Sequence, residues 1–492
     1  MKHRVISCIV AGALASTMLT ACAGQAGTSA SNQVKLDPSN PVNVTVWHYY
    51  NGAQQAAFDQ LVAEFNATTG KDEGIHVEGY SQGSVGDLEK AVTASVNGEV
   101  GSQPLPDVFS SYADTAYDIE KQGKLADLKQ YFTDDELSRY VDSYVDDGYF
   151  DNSGALYLLP VAKSTEIMML DKTDWEPFAQ ATGTSTDELS TLEGVSAVAK
   201  RYYEWTDAQT PDVPNDGKAF YGRDSMSNYF VVGMKQMGVD IFDVNDGAVT
   251  ICADKDKVRR LWENYYVPYV SGYFAANGKF RSDDVKTGEV IAYTGSSSSA
   301  MYFPDQVITD DSEKSIDYEV LPVPVFSGGD NVRAQQGAGM AVAKSDEQHE
   351  YAASEFLKWF TAKDNNLRFV CESAYLPVLK EANSTQALDQ VISDNNLTVM
   401  PKAYDCLTNI LDSYDSISFY ATQTFDNGYQ ARKVLDYILS DKAKADRASV
   451  VASLEAGESL GEAVAPFTSD AAFDAWYDSF MQALQAAANK ER

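Results

Sequence analysis

Apolar and polar positions alternate over residues 42–49 (VNVTVWHY), with β-branched residues among them, and this predicts a strand. Over residues 54–66 (QQAAFDQLVAEFN) the apolar positions Ala57, Phe58, Leu61, Val62 and Phe65 follow helical spacing, and Thr69-Gly70-Lys71 ends the run. The alternation repeats as a strand at 74–80, a helix at 86–97, a strand at 105–110 and a helix beginning at Tyr112. Strand and helix in turn at this spacing predict a parallel sheet covered by helices, whose ligands lie beyond the C-terminal strand ends. Those ends read Trp47-His48-Tyr49-Tyr50, Ser81-Gln82-Gly83-Ser84 and Ser110-Ser111-Tyr112, all polar, aromatic or small. Further on, residues 156–170 (LYLLPVAKSTEIMML) and 318–326 (YEVLPVPVF) read as extended passages between two bodies. Helices are predicted at 195–205, 255–266 and 350–361, a hairpin at Asp246-Gly247, a Gly-Ala-Gly turn at 337–339, a third passage near 362–366, and a mostly helical region from 373 onward.

The first residues carry a different signal. Lys2 and Arg4 precede an apolar run too short to span a bilayer comfortably, the pattern of a secretory signal. It ends in Leu19-Thr20-Ala21-Cys22, which resembles the bacterial lipobox, whose cysteine becomes a diacylated N-terminus. Residues 1–21 are therefore expected to be a signal peptide, Cys22 the lipidation site and residues 22–40 a flexible tether, with the body extracytoplasmic at the cell membrane.

Composition narrows the partners. The chain has 492 residues, too many for one compact core, with 44% apolar residues, as in globular proteins. Its net charge of −34 disfavours nucleic acid and anionic membrane surfaces as partners of the folded part. Three cysteines remain beyond Cys22: Cys252, Cys371 and Cys406. Two could pair, or all could be buried thiols. His48, His76 and His349 show no metal-ligand spacing, so no metal or cofactor is expected. Gly457-Glu458-Ser459-Leu460-Gly461 matches G-x-S-x-G, but it follows a predicted helix and reads as a helix stop with a serine cap, not a nucleophile elbow. Carboxylate pairs are everywhere in so acidic a chain, which keeps a surface glycoside hydrolase as the reading from a different class.

The ordered set VNVTVWHYYNG, GIHVEGYSQGS, PLPDVFSSYADTAYDIEKQGKLADL, LPVAKSTEIMMLDKTDW, TGSSSSAMYF, YEVLPVPVF, QQGAGMAVAKS and EFLKWFTAKDNNLRFVCESAYLPV resembles the extracellular solute-binding proteins of ABC importers, the maltose-binding-like family 1. The resemblance implies an α/β, two-lobe periplasmic-binding-protein-like fold (type II), with three crossovers and the ligand in the interlobe cleft. Lobe 1 would comprise 41–160 and 320–362, and lobe 2 would comprise 161–319 and 363–492. It also implies a non-enzymatic, monomeric binder that closes by a hinge and delivers its ligand to a membrane permease. Trp47-His48 and SAYLPV look most like the branch that includes glycerol-3-phosphate-binding proteins. That branch's crossover serine, serine cluster, glycine and tyrosine fall on Ser164, Ser296–Ser298 (Ser296 and Ser297 foremost), Gly337 and Tyr375. Its arginine falls near Gln423 and Thr424, its tyrosine near Val85 and its glutamate near Tyr112. Without the arginine fork that suits phosphate, the expectation moves to a neutral mono- or oligosaccharide, with glycerol-3-phosphate or a glycerophosphodiester as the alternative.

Sugars offer hydroxyls to polar side chains and C–H faces to rings. The residues read as candidate contacts are thus His48, Tyr49, Gln82, Tyr112 and Asp114 at the strand ends, Ser164 and Thr165 on the first crossover, and Arg223, Asp224 and Tyr229 after Tyr221-Gly222. Ser296, Ser297, Gly337, Tyr375 and Gln423 complete the set.

Overall fold

A computed structural model describes residues 34–245, 247–309 and 312–489. Two sheets organise it. In the first, the strands Ile75–Ser81, Val42–His48 and Val108–Ser111 run parallel, and Gly339–Val342 and Leu159–Pro160 join antiparallel at the edge. Register follows the alternation: Val44 and Val46 face one core, with Phe58, Leu61, Phe65 and Phe356, while Trp47 faces another with Leu88, Val92 and Phe109. Because Val42–His48 lies between the other two parallel strands, the chain leaves it and Val108–Ser111 toward opposite sides. A crevice forms beyond their C-terminal ends.

The second sheet has the order Tyr318–Pro322, Glu166–Asp171, Ala292–Ser296, Tyr221–Arg223. Its strand EIMMLD is buried throughout: Ile167 and Met169 join the core that also underlies the first sheet, and Met168 and Leu170 face a second core built with Trp175, Phe178, Trp262 and Phe480. A fully buried strand reads as a continuous apolar run, not an alternating one.

The chain passes between the sheets three times. The first passage runs from Leu159–Pro160 to Glu166–Asp171, and the second from Tyr318–Pro322 to Gly339–Val342. Where they cross, Ser164 N–H donates to Gln336 O at 3.0 Å and Gln336 N–H donates to Ser164 O at 2.9 Å. Gly337 follows with φ +95°, and a Cβ there would stand 2.8 Å from Ala162 O. The third passage is not at 362–366. Ala362 only separates the helices Glu347–Thr361 and Lys363–Ser373, and both pack on the first sheet's side, the latter along the helix Gly52–Ala67. The chain reaches the second sheet further on, with the helix Pro401–Leu411 against Tyr318–Pro322. Helicity alone carries no mark of which sheet a helix covers.

Other expectations shift by a few residues. The end of the expected tether belongs to the body: Leu36 is buried in the first core and Val34 packs against it. Cys22 and the signal segment lie outside the described residues, as does Asp246 of the hairpin, whose strands Phe242–Asn245 and Ala248–Ile251 pair antiparallel. Cys252, Cys371 and Cys406 are free, and burial pushes the Cys371 and Cys406 thiols up to about 12. Ser459 caps the helix Leu460–Thr468, accepting from Glu462 N–H while Glu462 reaches back to Ser459 N–H. Among the described residues no helix is long and apolar enough to cross a membrane.

Candidate functional site: an interlobe cleft

Local structure aims six segments at one space. Tyr112 leaves the strand Val108–Ser111 and caps the helix Ala113–Glu120. Val85 and Glu89 come from the first turns of the helix Val85–Asn97, and Ser225, Ser227 and Asn228 from the start of Met226–Gln236 on the second sheet's side. Ser225 holds φ +49°, a left-handed conformation that a non-glycine residue keeps only where its surroundings enforce it. Lys163 and Gln335–Gly337 come from the two crossing passages. Tyr429, Arg432, Lys433 and Asp436 come from the start of the helix Gly428–Glu455. They enclose a cavity of about 430 Å³. A second, of about 500 Å³, shares Ala113, Asp147, Gln335, Ala421 and Thr422 with it and continues past Phe419, Tyr420 and Gln423.

The lining combines rings, amides and charges of both signs. Tyr112 and Tyr429 are 39% and 37% exposed although they belong to a cavity wall. Gln335 Nε2 donates to Ser143 O at 2.8 Å, but Gln335 Oε1 and Gln336 Nε2, both buried, meet no hydrogen-bond partner among the described residues. One acceptor and one donor are thus available to a ligand at the crossing of the passages. Four carboxylates (Glu89, Asp114, Asp147 and Asp436) stand against three cations. Lys163, almost fully buried, donates to Asp147 Oδ2 at 2.6 Å and to Gly337 O at 3.3 Å. Arg432 Nε lies 3.9 Å from Asp114 Oδ2, and Lys433 sits over the rings of Tyr429 and Tyr437. Asp436 accepts from Ser227 N–H at 2.9 Å. Burial pushes the Asp114 carboxyl above its usual range against the pull of Arg432, and burial does the same to Glu89.

Of the residues singled out from the sequence, Tyr112, Asp114 and Gly337 line the first cavity and Gln423 the second. The others sit elsewhere. His48 is in the core, stacked on Tyr50 and tilted against Phe58, because the strand's inward alternation continues through its last residue. Ser164 and Thr165 are buried where the passages cross, Ser164 in the main-chain pairing with Gln336 and Thr165 against Ser297. Arg223 is buried against Glu166 at 2.9 Å, and Tyr229 is buried with its Oη donating to Leu261 O. Asp224 accepts from Arg281 N–H at 3.2 Å. Ser297 is buried below Ser296, whose hydroxyl meets that of Ser298 at 3.0 Å. Tyr375 is buried, stacked on Phe369, with its Oη 3.4 Å from Tyr49 Oη. Gln82 follows its strand without reaching either cavity, held by its N–H to His48 O.

An arginine does reach the cleft, contrary to the sequence register: Arg432, from the helix that follows Gln423, stands between Asp114 and Thr422. Glu89, Gln335, Gln336, Tyr429, Arg432 and Asp436 were not singled out from sequence. The glutamines had a usable signal, flanking the glycine that the resemblance marked. The helix residues had none, since an exposed helix face looks the same wherever it points. Among the described residues no cluster of three His, Cys, Asp or Glu side chains stands where it could hold a metal ion.

Solved structures share this architecture. The cyclic α-maltosyl-1,6-maltose binding protein of Arthrobacter globiformis superposes with a TM-score of 0.63 at 19% identity, over 92% of this chain and 100% of its own. UgpB of Mycobacterium tuberculosis, in complex with glycerophosphocholine, gives 0.62 at 18% over 91% and 99%. The galacto-N-biose-/lacto-N-biose I-binding protein of Bifidobacterium longum gives 0.60 at 14% over 92% and 98%. No curated protein matches the chain by sequence. Residues 60–399 match the profile of one family, and that match runs from the first helix of the first sheet through both crossing passages. With its two sheets and the cleft between them, the chain belongs to the bacterial extracellular solute-binding proteins.

Proposed function

We propose that this protein is the extracytoplasmic binding component of an ABC importer, and that it captures a neutral mono- or oligosaccharide in the cleft and delivers it unaltered to the permease. The observation that carries the sugar is the pairing of two partly exposed tyrosines, Tyr112 and Tyr429, with the unmet amide groups of Gln335 and Gln336. Rings suit the C–H faces of a pyranose, amides suit its hydroxyls, and four carboxylates against three cations favour a neutral ligand over an anion. The similar Arthrobacter and Bifidobacterium proteins are described as binding oligosaccharides. In this reading the protein acts as a monomer without a cofactor. Cys22 carries the lipid that holds it to the membrane after residues 1–21 are removed.

One observation favours a second ligand class. Arg432 and Lys433 bring two cations to the cleft beside aromatic rings, which would serve a glycerophosphodiester such as the one bound by the similar Mycobacterium protein. Calorimetry with sugars and with glycerophosphodiesters at two salt concentrations separates the two readings. Sugar binding that salt barely changes, with the sugar recovered intact, is the expected result. Tight, salt-sensitive binding of the phosphodiester alone would replace the sugar, and recovery of cleaved sugar would replace binding with catalysis.

A further inference from the structure

A third, much smaller cavity of about 10 Å³ is lined by Glu166, Arg223, Asn228, Gln236 and Arg333, among others. It has room for about one solvent-sized sphere. Asn228 borders both this cavity and the cleft. Arg333 belongs to the second passage, on the strand Val332–Ala334 that pairs with Ser418–Tyr420, and Glu166 opens the second sheet directly after the first passage.

The charges here do not balance. Arg223 Nη2 donates to Glu166 Oε1 at 2.9 Å and Asn228 Nδ2 donates to the same oxygen at 3.3 Å, which accounts for one guanidinium and the carboxylate. Arg333 is 4% exposed, and neither its Nε nor its Nη1 meets a hydrogen-bond acceptor among the described residues. Gln236 is engaged elsewhere, with Oε1 accepting from Phe326 N–H and Nε2 donating to Val332 O. Burial draws the Arg333 guanidinium down to about 10, which still leaves it charged at neutral pH. A buried cation without a counter-charge is strongly destabilising. A water molecule would accept its hydrogen bonds but leave the charge, and phosphate or sulfate exceeds the space.

We propose that this cavity is a binding site for one monovalent anion of halide size, held by Arg333 and completing the charge balance where the two passages meet. The test is thermal unfolding of the protein at fixed ionic strength, with gluconate exchanged for chloride or bromide. The expected result is a midpoint that rises with halide and saturates. In Arg333→Met this dependence is lost, and the variant in gluconate unfolds no earlier than the unaltered protein, because it no longer buries an unbalanced charge. Bromide-soaked crystals of the unaltered protein should show an anomalous peak beside Arg333. This measurement decides the matter if the variant does not fold. Equal midpoints in gluconate and chloride, the same halide response in Arg333→Met, or a water in place of the bromide peak would each overturn the proposal.

Discussion

At the scale of single residues, His48 shows how an inward-facing position changes a side chain's chemistry. Its ring is wholly buried between Tyr50 and Phe58, and burial draws its pKa down from 6.5 to about 4. The folded value lies below the unfolded one, so the unfolded chain takes up the proton first. The stability this represents is present in full above pH 6.5 and is lost as the pH falls through about 4, up to about 3 kcal/mol in all. His48→Leu removes the titration, so denaturation at a series of pH values from 7 to 4 should show wild type losing stability relative to the variant. Parallel curves would mean that the ring is not held neutral. The tyrosines divide along the same line of burial. Tyr429 presents a ring to the cleft, and Tyr429→Ala should weaken sugar binding by on the order of 0.5–1.5 kcal/mol beyond lost contact area, with little effect on folding. Tyr375 is packed on Phe369 and touches Tyr49, so Tyr375→Ala should lower stability by about 3 kcal/mol and leave affinity nearly unchanged in the folded fraction. Calorimetry and urea unfolding on both variants check the division, and the reverse pattern would exchange their roles.

At the scale of elements, function depends on where the passages cross. Ser164 and Gln336 tie them by main-chain hydrogen bonds, so the side chains at that point serve the hinge or, as with Lys163 and the two glutamines, face the cleft. Gly337 is required there twice over: φ is +95°, and a Cβ would press on Ala162 O. Gly457 has the same φ of +95° with nothing within 4 Å of its would-be Cβ, which makes it the matched control. Gly457→Ala should cost about 1 kcal/mol from backbone strain alone, and Gly337→Ala more, up to about 3 kcal/mol. Gly337→Ala should also reduce the ligand-induced compaction seen by small-angle scattering, because the passages can no longer lie as close. Equal costs for the two variants and unchanged compaction would remove Gly337 from the hinge.

At the scale of the whole molecule, one core runs beneath both sheets while each sheet keeps a separate core on its other face. The lobes are therefore joined through packed side chains as well as through the passages. The proposed anchor also belongs to this scale. Cys22→Ala should release the protein from the membrane with its fold intact, read by fractionation of cells and by circular dichroism of the released protein; retention at the membrane would set the anchor aside. Much of this architecture is written along the chain. The strand and helix order of residues 42–121 follows from hydrophobic period except for the short helix Thr69–Glu73, which the sequence read as a break; the apolar extended runs around Pro160 and Pro322 mark the passages, and Ser459 is a cap because a helix must stop before it and start after it. These are local properties, fixed by residues close in sequence. What only the tertiary structure decided is which polar residues share a space. Tyr229 was drawn inward by packing against the helix that carries Leu261, Arg223 was neutralised by Glu166, and the helix Lys363–Ser373 stayed with the first sheet. The cleft instead gained Tyr429 and Arg432 from a helix more than 300 residues beyond Tyr112, a meeting that no periodicity encodes because it depends on how whole layers dock.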